Sequence, residues 1–128
     1  MNAFKDYTEK VFAVLNKVKT SQADNIGRAG TLVAEAIARG GLVHTFGTGH
    51  SHMVAEEIVY RAGGLAPVNA ILEPSLTGDT QVTKSEYTER MEGWGKIIVD
   101  YHQIGKDDVI IVISNSGRNG APIEVAWE

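Results

Sequence analysis

Two short stretches concentrate the residue types that do chemistry. Gly47-Thr48-Gly49-His50-Ser51 sets two glycines, two hydroxyls and a histidine in a row, and Ser114-Asn115-Ser116-Gly117-Arg118-Asn119 flanks an amide with two hydroxyls. Glycine lets backbone N–H groups approach an anion closely, and a helix N-terminus adds a partial positive charge. Two serine hydroxyls beside free helix amides suit a phosphate dianion without Lys or Arg. Taken singly, Gly-Thr-Gly also reads as a tight turn and Ser116 as a helix cap. The pair together argues for a ligand. Carboxylates and imidazoles nearby could move protons. Glu56 and Glu57 lie beyond the first stretch, and adjacent helix positions point about 100° apart, so one of the two faces it. Glu57 is the better candidate. His50 and His52 are candidate acids or sugar contacts. Glu73 and Glu89 lie between the two stretches. Arg118 suits either a ligand contact or an interface ion pair, His44 a core or edge position, and His102 a solvated helix face.

Elements must position these residues. Phe4, Tyr7, Val11, Val14, Leu15 and Val18 recur at three- and four-residue steps and predict a helix over 3–19. Thr20-Ser21 interrupts it, with Ser21 and Asp24 resembling a helix cap. A second helix runs to about Arg39 with Ile26, Leu32, Val33, Ala36 and Ile37 inward, and Gly40-Gly41 ends it. Together these make a helical hairpin over 1–40. Strands are predicted over 42–46, 66–72 and 109–113, and helices over 52–62 and 94–104. The run Val109-Ile110-Ile111-Val112-Ile113 reads as a strand buried on both faces. Residues 73–93 show no long apolar period, and a connection of that length is usually functional or mobile. Strands alternating with helices imply a parallel α/β sheet. With strand order 2-1-3, both polar stretches meet at the point where the chain leaves the sheet in opposite directions.

Composition narrows the classes. The chain has 128 residues, 43% hydrophobic and 22% charged, with 13 Val and 11 Ile against 6 Leu. That excludes disorder and a coiled-coil rod and favours buried strands. The net charge is −4 and no basic stripe occurs, so nucleic acid is not an expected partner. The absence of cysteine excludes disulfides and thiolate chemistry. No apolar run approaches membrane-spanning length, and the start of the chain carries no signal pattern, so a cytoplasmic protein is expected.

Gly47-Thr48-Gly49-His50-Ser51 after one strand, with Ser114-Asn115-Ser116-Gly117 after a later one, resembles the SIS (sugar isomerase) domain family. The resemblance implies a flavodoxin-like αβα sandwich of three layers, with residues 41–128 forming the N-terminal part of a phosphosugar-binding domain and one structural domain together with the hairpin. It implies that Ser114 and Ser116 bind the phosphate and that Ser51 contacts it, with Asn119 standing where the family commonly has Ser or Thr. Phosphoheptose isomerases carry a metal-binding His where this chain has Glu57 and an acidic ligand where it has Arg61, so their metal site is not reproduced; no metal and no cofactor are expected. N-acetylmuramic acid 6-phosphate etherases carry an acidic residue ahead of a Gly-x-Gly, a placement similar to Glu89 before Gly93-Trp94-Gly95.

The expected activity is aldose–ketose isomerisation of a phosphorylated sugar, with Glu57, His52 and Glu89 as catalytic candidates and Gly47, Thr48, Gly49, His50, Ser51, Glu73, Ser114, Asn115, Ser116, Gly117 and Asn119 as binding candidates. A lyase or etherase, or a sensor that binds without turnover, uses the same serines. A dinucleotide domain is a further reading, on Gly47-x-Gly49 and Glu73, but its third glycine is His52 here. Three strands against the five of the family leave the sheet incomplete within 128 residues. The expectation is a chain that keeps its ligand loops, catalyses poorly alone, and works as a homodimer or homotetramer.

Overall fold

The computed structural model describes residues 2–79 and 81–128. Two compact units result, Met1–Glu35 and Ala36–Glu128.

The first unit holds α1 (Ala3–Ser21) and most of α2 (Ala23–Ala38). The Asn2 side chain caps α1 by accepting from the Lys5 amide. Ser21 does not cap α2 as its neighbourhood suggested. It is still helical, and its hydroxyl donates back to the Lys17 carbonyl at 2.8 Å. The break falls at Gln22, whose N–H donates to Val18 O and whose carbonyl accepts from Ile26. No α1 side chain is buried, and Ile26 and Leu32 of α2 are also exposed, against the inward placement expected of them. Periodicity reports that a helix has an apolar face; it does not report what covers that face.

The second unit begins at Ala36, the one fully buried residue of α2. Gly40 takes the left-handed conformation that ends the helix, and Gly41 lies against the Asp107 carbonyl with no room for a side chain. The sheet contains β1 (Val43–Gly47), β2 (Val68–Ile71) and β3 (Val109–Ile113), all parallel in the order β2-β1-β3. β1 pairs on both sides, Val43 opposite Val68 and Val109, and all five of its residues are buried. Helices cover both faces. Thr45 faces α3 (Ser51–Glu57), its hydroxyl donating to the Ala55 carbonyl at 2.9 Å. Phe46 points the other way, into a core with Ile71, Leu76, Ile98, Ala121 and Val125. Ile71 belongs to β2, Leu76 to α4 (Pro74–Thr77), Ile98 to α6 (Trp94–His102), and Ala121 and Val125 to α7 (Gly120–Trp127). The result is the three-layer α/β arrangement expected.

Two elements differ from expectation. α3 ends at Glu57 instead of continuing to Ala62, and Tyr60 comes soon after with φ 58°, a left-handed conformation that a helix cannot include. β3, the most apolar strand, lies at an edge and is only half-buried, with Ile111 exposed. An edge strand has one sheet neighbour, so its composition alone does not place it at the centre.

Asp108 ties the far end of the sheet together. It accepts from the Leu42 amide at 2.7 Å, the Gly105 amide at 2.8 Å and faces His44 Nε2 at 3.4 Å. The two amide donors hold its carboxyl below the usual carboxylate range. His44, buried, also meets Asn69, so it is a satisfied core histidine. His102 is half-buried, not solvated as expected. Burial lowers its pKa and the neighbouring His44 adds to this, while Glu73 opposes them.

Candidate functional site

The site is built by the segments that leave the carboxyl ends of β1 and β3. After β1 the chain turns sharply into α3. A Cβ on Gly47 would lie 2.6 Å from the Ser51 carbonyl group, so only glycine lets the first turn of α3 pack onto the strand end. Gly49 takes φ 51°. Its amide is not free for an anion: it donates to the Leu76 carbonyl at 2.8 Å. Thr48 is buried and Ser51 half-buried. His50 stands exposed at the start of α3, and buried His52 turns its Nδ1 onto the Gly49 carbonyl. Across from His52, Asp79 Oδ1 lies 3.6 Å from Nε2.

After β3 the backbone is open. Asn115, Ser116, Gly117 and Arg118 are exposed, and Ser114 is half-buried. The Gly117 amide donates to Ser114 Oγ at 3.0 Å, which curls the loop around its own first serine. Among the described residues no protein group bonds the Ser116 hydroxyl or the Asn115, Ser116 and Arg118 amides. Ser116 is not a helix cap; Asn119 holds that position before α7.

The connection 73–93, which shows no long apolar period, contains α4 and α5 (Val82–Thr88). Glu73 caps α4 by accepting from the Ser75 amide and hydroxyl, with Pro74 at the first helical position. This supplies a structural role for Glu73. Glu89 directly succeeds α5 and joins both loops. Its Oε1 accepts from Thr48 Oγ1 at 2.7 Å and from Asn119 Nδ2, and its carbonyl accepts from the Ala121 amide at 2.9 Å. Its Oε2 has no protein donor among the described residues. The Gly93-Trp94-Gly95 stretch has its own explanation: the Gly93 and Gly95 amides each donate at 2.8 Å to the Glu124 carboxylate of α7, fixing α6 to α7.

The loop after β1, α3 and residues from the end of α4 into α5 line an open cavity of about 420 Å³ that includes His50, His52, Met53, Glu56, Asp79 and Val82. That size falls within the range of small-molecule sites. The structure thus brings together Gly47, Thr48, Gly49, His50, Ser51 and His52 on one loop. Ser114, Asn115, Ser116, Gly117 and Asn119 lie on the next, and Glu89 bridges them. It does not bring Glu57 there. Glu57 lies six residues along α3 from Ser51, about 9 Å by helical rise, and pairs with Arg61 at 2.9 Å. Glu56, the neighbour set aside for it, is the one that lines the cavity. Asp79 and Glu56 are thus the residues that sequence reasoning missed. Gly78, left-handed at the end of α4, was the available signal that a turn aims Asp79 back towards the first loop.

A parallel sheet whose two polar loops meet at a switch point defines an open α/β domain, a class whose ligand sites lie beyond the carboxyl ends of the strands. The chain belongs to the SIS domain family, whose model matches residues 6–128; SIS domains bind phosphosugars, and the family includes isomerases. It is 47% identical over 127 residues to a UPF0309 protein of Halalkalibacterium halodurans, a match covering 99% of this chain and 52% of the relative. A UPF0309 protein of Thermoanaerobacter pseudethanolicus is 46% identical over 125 residues, covering 96% and 51%. One from Geobacillus kaustophilus is 41% identical over 120 residues, covering 94% and 48%. The chain therefore spans about half the length of the curated relatives it matches. No described helix is long and apolar enough to cross a membrane.

Proposed function

We propose that the chain binds a phosphorylated sugar across the two loops and that the activity served is aldose–ketose isomerisation. In this reading Ser114, Ser116 and the open amides of the second loop take the phosphate. The sugar extends past Ser51 towards the cavity beside α3. The observation that carries the reading is Glu89, held between Thr48 and Asn119 with one carboxylate oxygen free of protein donors among the described residues.

A carboxylate so placed is suited to proton transfer between adjacent carbons. Glu89 takes the proton from the carbon beside the carbonyl, giving an enediol as the carbonyl oxygen gains a proton. Return of the proton to the neighbouring carbon, with loss of the hydroxyl proton from the other oxygen, completes the exchange. A phosphate remote from the reacting carbons supplies binding energy that orients them. His52, its ring fixed by the Gly49 carbonyl, is placed to contact hydroxyls. No step in this scheme calls for a metal or a cofactor.

The test is calorimetric titration with aldose and ketose phosphates and their unphosphorylated counterparts, together with solvent-deuterium incorporation. Glu89→Gln keeps an acceptor for Thr48 and Asn119 but cannot take a proton. It is expected to bind within a few-fold of wild type while exchange falls about 100-fold or more. Because the chain spans about half the length of its relatives, exchange is read in the full-length protein, and binding without exchange there would make it a sensor. Elimination in place of exchange would make it a lyase. Tight NAD binding with no response to sugar phosphates would overturn the reading.

A further inference from the structure

The cavity beside α3 differs from the loop after β3 in the groups it offers. The His52 side chain is only 10% exposed, and its Nδ1 faces the Gly49 carbonyl. A carbonyl oxygen only accepts, so Nδ1 carries the proton of the neutral ring and Nε2 a lone pair. Nε2 lies 3.6 Å from Asp79 Oδ1, beyond hydrogen-bond length, and has no hydrogen-bond partner among the described residues. The two hydroxyls that line the cavity also have their protons engaged. Ser85 Oγ donates to the Val82 carbonyl at 2.7 Å, and Thr77 Oγ1 to the Pro74 carbonyl at 3.4 Å. The Gly49 amide is taken by Leu76. Glu56 and Asp79 add two carboxylates, and no lysine or arginine is among the described residues that line the cavity. Among those residues, exposed His50 alone keeps a side-chain N–H to offer.

A wall of acceptors with two negative charges suits a group that consists of donors and is positively charged. We infer that the cavity is the subsite for a primary ammonium, so that the ligand of the two loops is an amino sugar phosphate with its nitrogen unacylated. An ammonium has three N–H donors, which His52 Nε2, Asp79 and Glu56 can share. Hydrogen bonds between ionised partners are the strong ones. An acetamide offers one N–H and no charge, and a hydroxyl offers one proton and no charge. Two carboxylates repel a phosphate from this place, which leaves it the loop after β3. The cavity is also close to the proposed base. Ser85 precedes Glu89 by four residues, about 6 Å by helical rise. The inference rests on the reading of Glu89 and the two loops given above, and adds to it the nitrogen and its place.

Calorimetric titration of the full-length protein tests it with matched sets of hexose 6-phosphates in the gluco, galacto and manno configurations. Each set holds the hexose phosphate, its 2-amino-2-deoxy counterpart and the N-acetyl derivative of that amine. In at least one set the free amine is expected to bind at least about tenfold more tightly than the other two members. Glu56→Gln combined with Asp79→Asn is expected to bring that ratio to within about twofold of unity. Both side chains are exposed, so the fold is retained, and the thermal midpoint checks this. Equal affinities within every set overturn the inference and leave the reading of the loops standing. A preference for the N-acetyl member, or one for the amine that survives the double substitution, does the same. No binding by any member of any set overturns the reading of the loops, and the inference with it.

Discussion

The loop after β1 and the loop after β3 occupy equivalent places on neighbouring strands, yet one is closed and the other open. In the first, Gly49 and Thr48 are already hydrogen-bonded to Leu76 and Glu89, and the strand end is buried. In the second, consecutive amides and the Ser116 hydroxyl face outward. A backbone group that already has a partner gains little from a new one. In the proposed reading the first loop is therefore a scaffold that carries His50, Ser51 and His52, and the second is the anion receptor. Both have the glycine and hydroxyl content of phosphate loops, so composition alone does not separate them.

The largest effect that would sharpen this contrast is on affinity. Ser114→Ala with Ser116→Ala is expected to weaken sugar phosphate binding about 100-fold or more, at roughly 1.5–3 kcal/mol for each hydrogen bond to a charged group. Ser51→Ala is expected to cost less than about tenfold. Equal losses from the two loops, read by calorimetry, would break the comparison.

Stability should show the reverse order. Gly47→Ala forces a Cβ against the first turn of α3 and is expected to destabilise by about 2–3 kcal/mol in urea unfolding. A smaller cost, about 1 kcal/mol, is expected for Gly117→Ala, whose φ of 61° disfavours a side chain but whose surroundings are open. Thr48→Val removes one donor to Glu89 and is expected to cost about 1 kcal/mol.

The smallest effects are with pH and should arise away from both loops. Asp108 has its folded pKa depressed, so its contribution is present above the ordinary carboxylate range and is lost as pH falls through the folded value. Asp108→Asn is expected to flatten the acid limb of the stability curve. His102 is also depressed. As pH falls below about 6.5, the unfolded chain takes up its proton first and stability declines slightly, a slope that His102→Gln should remove.

Much of this was legible in the sequence, for local reasons. β1, β3 and the two loops announce themselves through β-branched runs succeeded by glycine and hydroxyls, and the order β2-β1-β3 is the one that lets the loops meet. Glu89 was visible only as a family likeness. Its bonds to Thr48 and Asn119 span 41 and 30 residues, and no local pattern reports a contact at that range. Glu73-Pro74 with Gly78 close behind did carry the signature of a short capped helix, which the absence of long periodicity obscured. Glu57 was preferred over Glu56 by a family position, and helix phase decided otherwise: α3 turns Glu56 to the cavity and Glu57 to Arg61.

The central claim is that the loop after β3, not the loop after β1, receives the phosphate. Amide nitrogen–proton spectra recorded while titrating inorganic phosphate and then an aldose phosphate test it most directly. Saturable shifts centred on Asn115, Ser116 and Arg118, with Gly47 and Gly49 little moved, are the predicted result; shifts centred on Gly47–Ser51, or none that saturate, would contradict it.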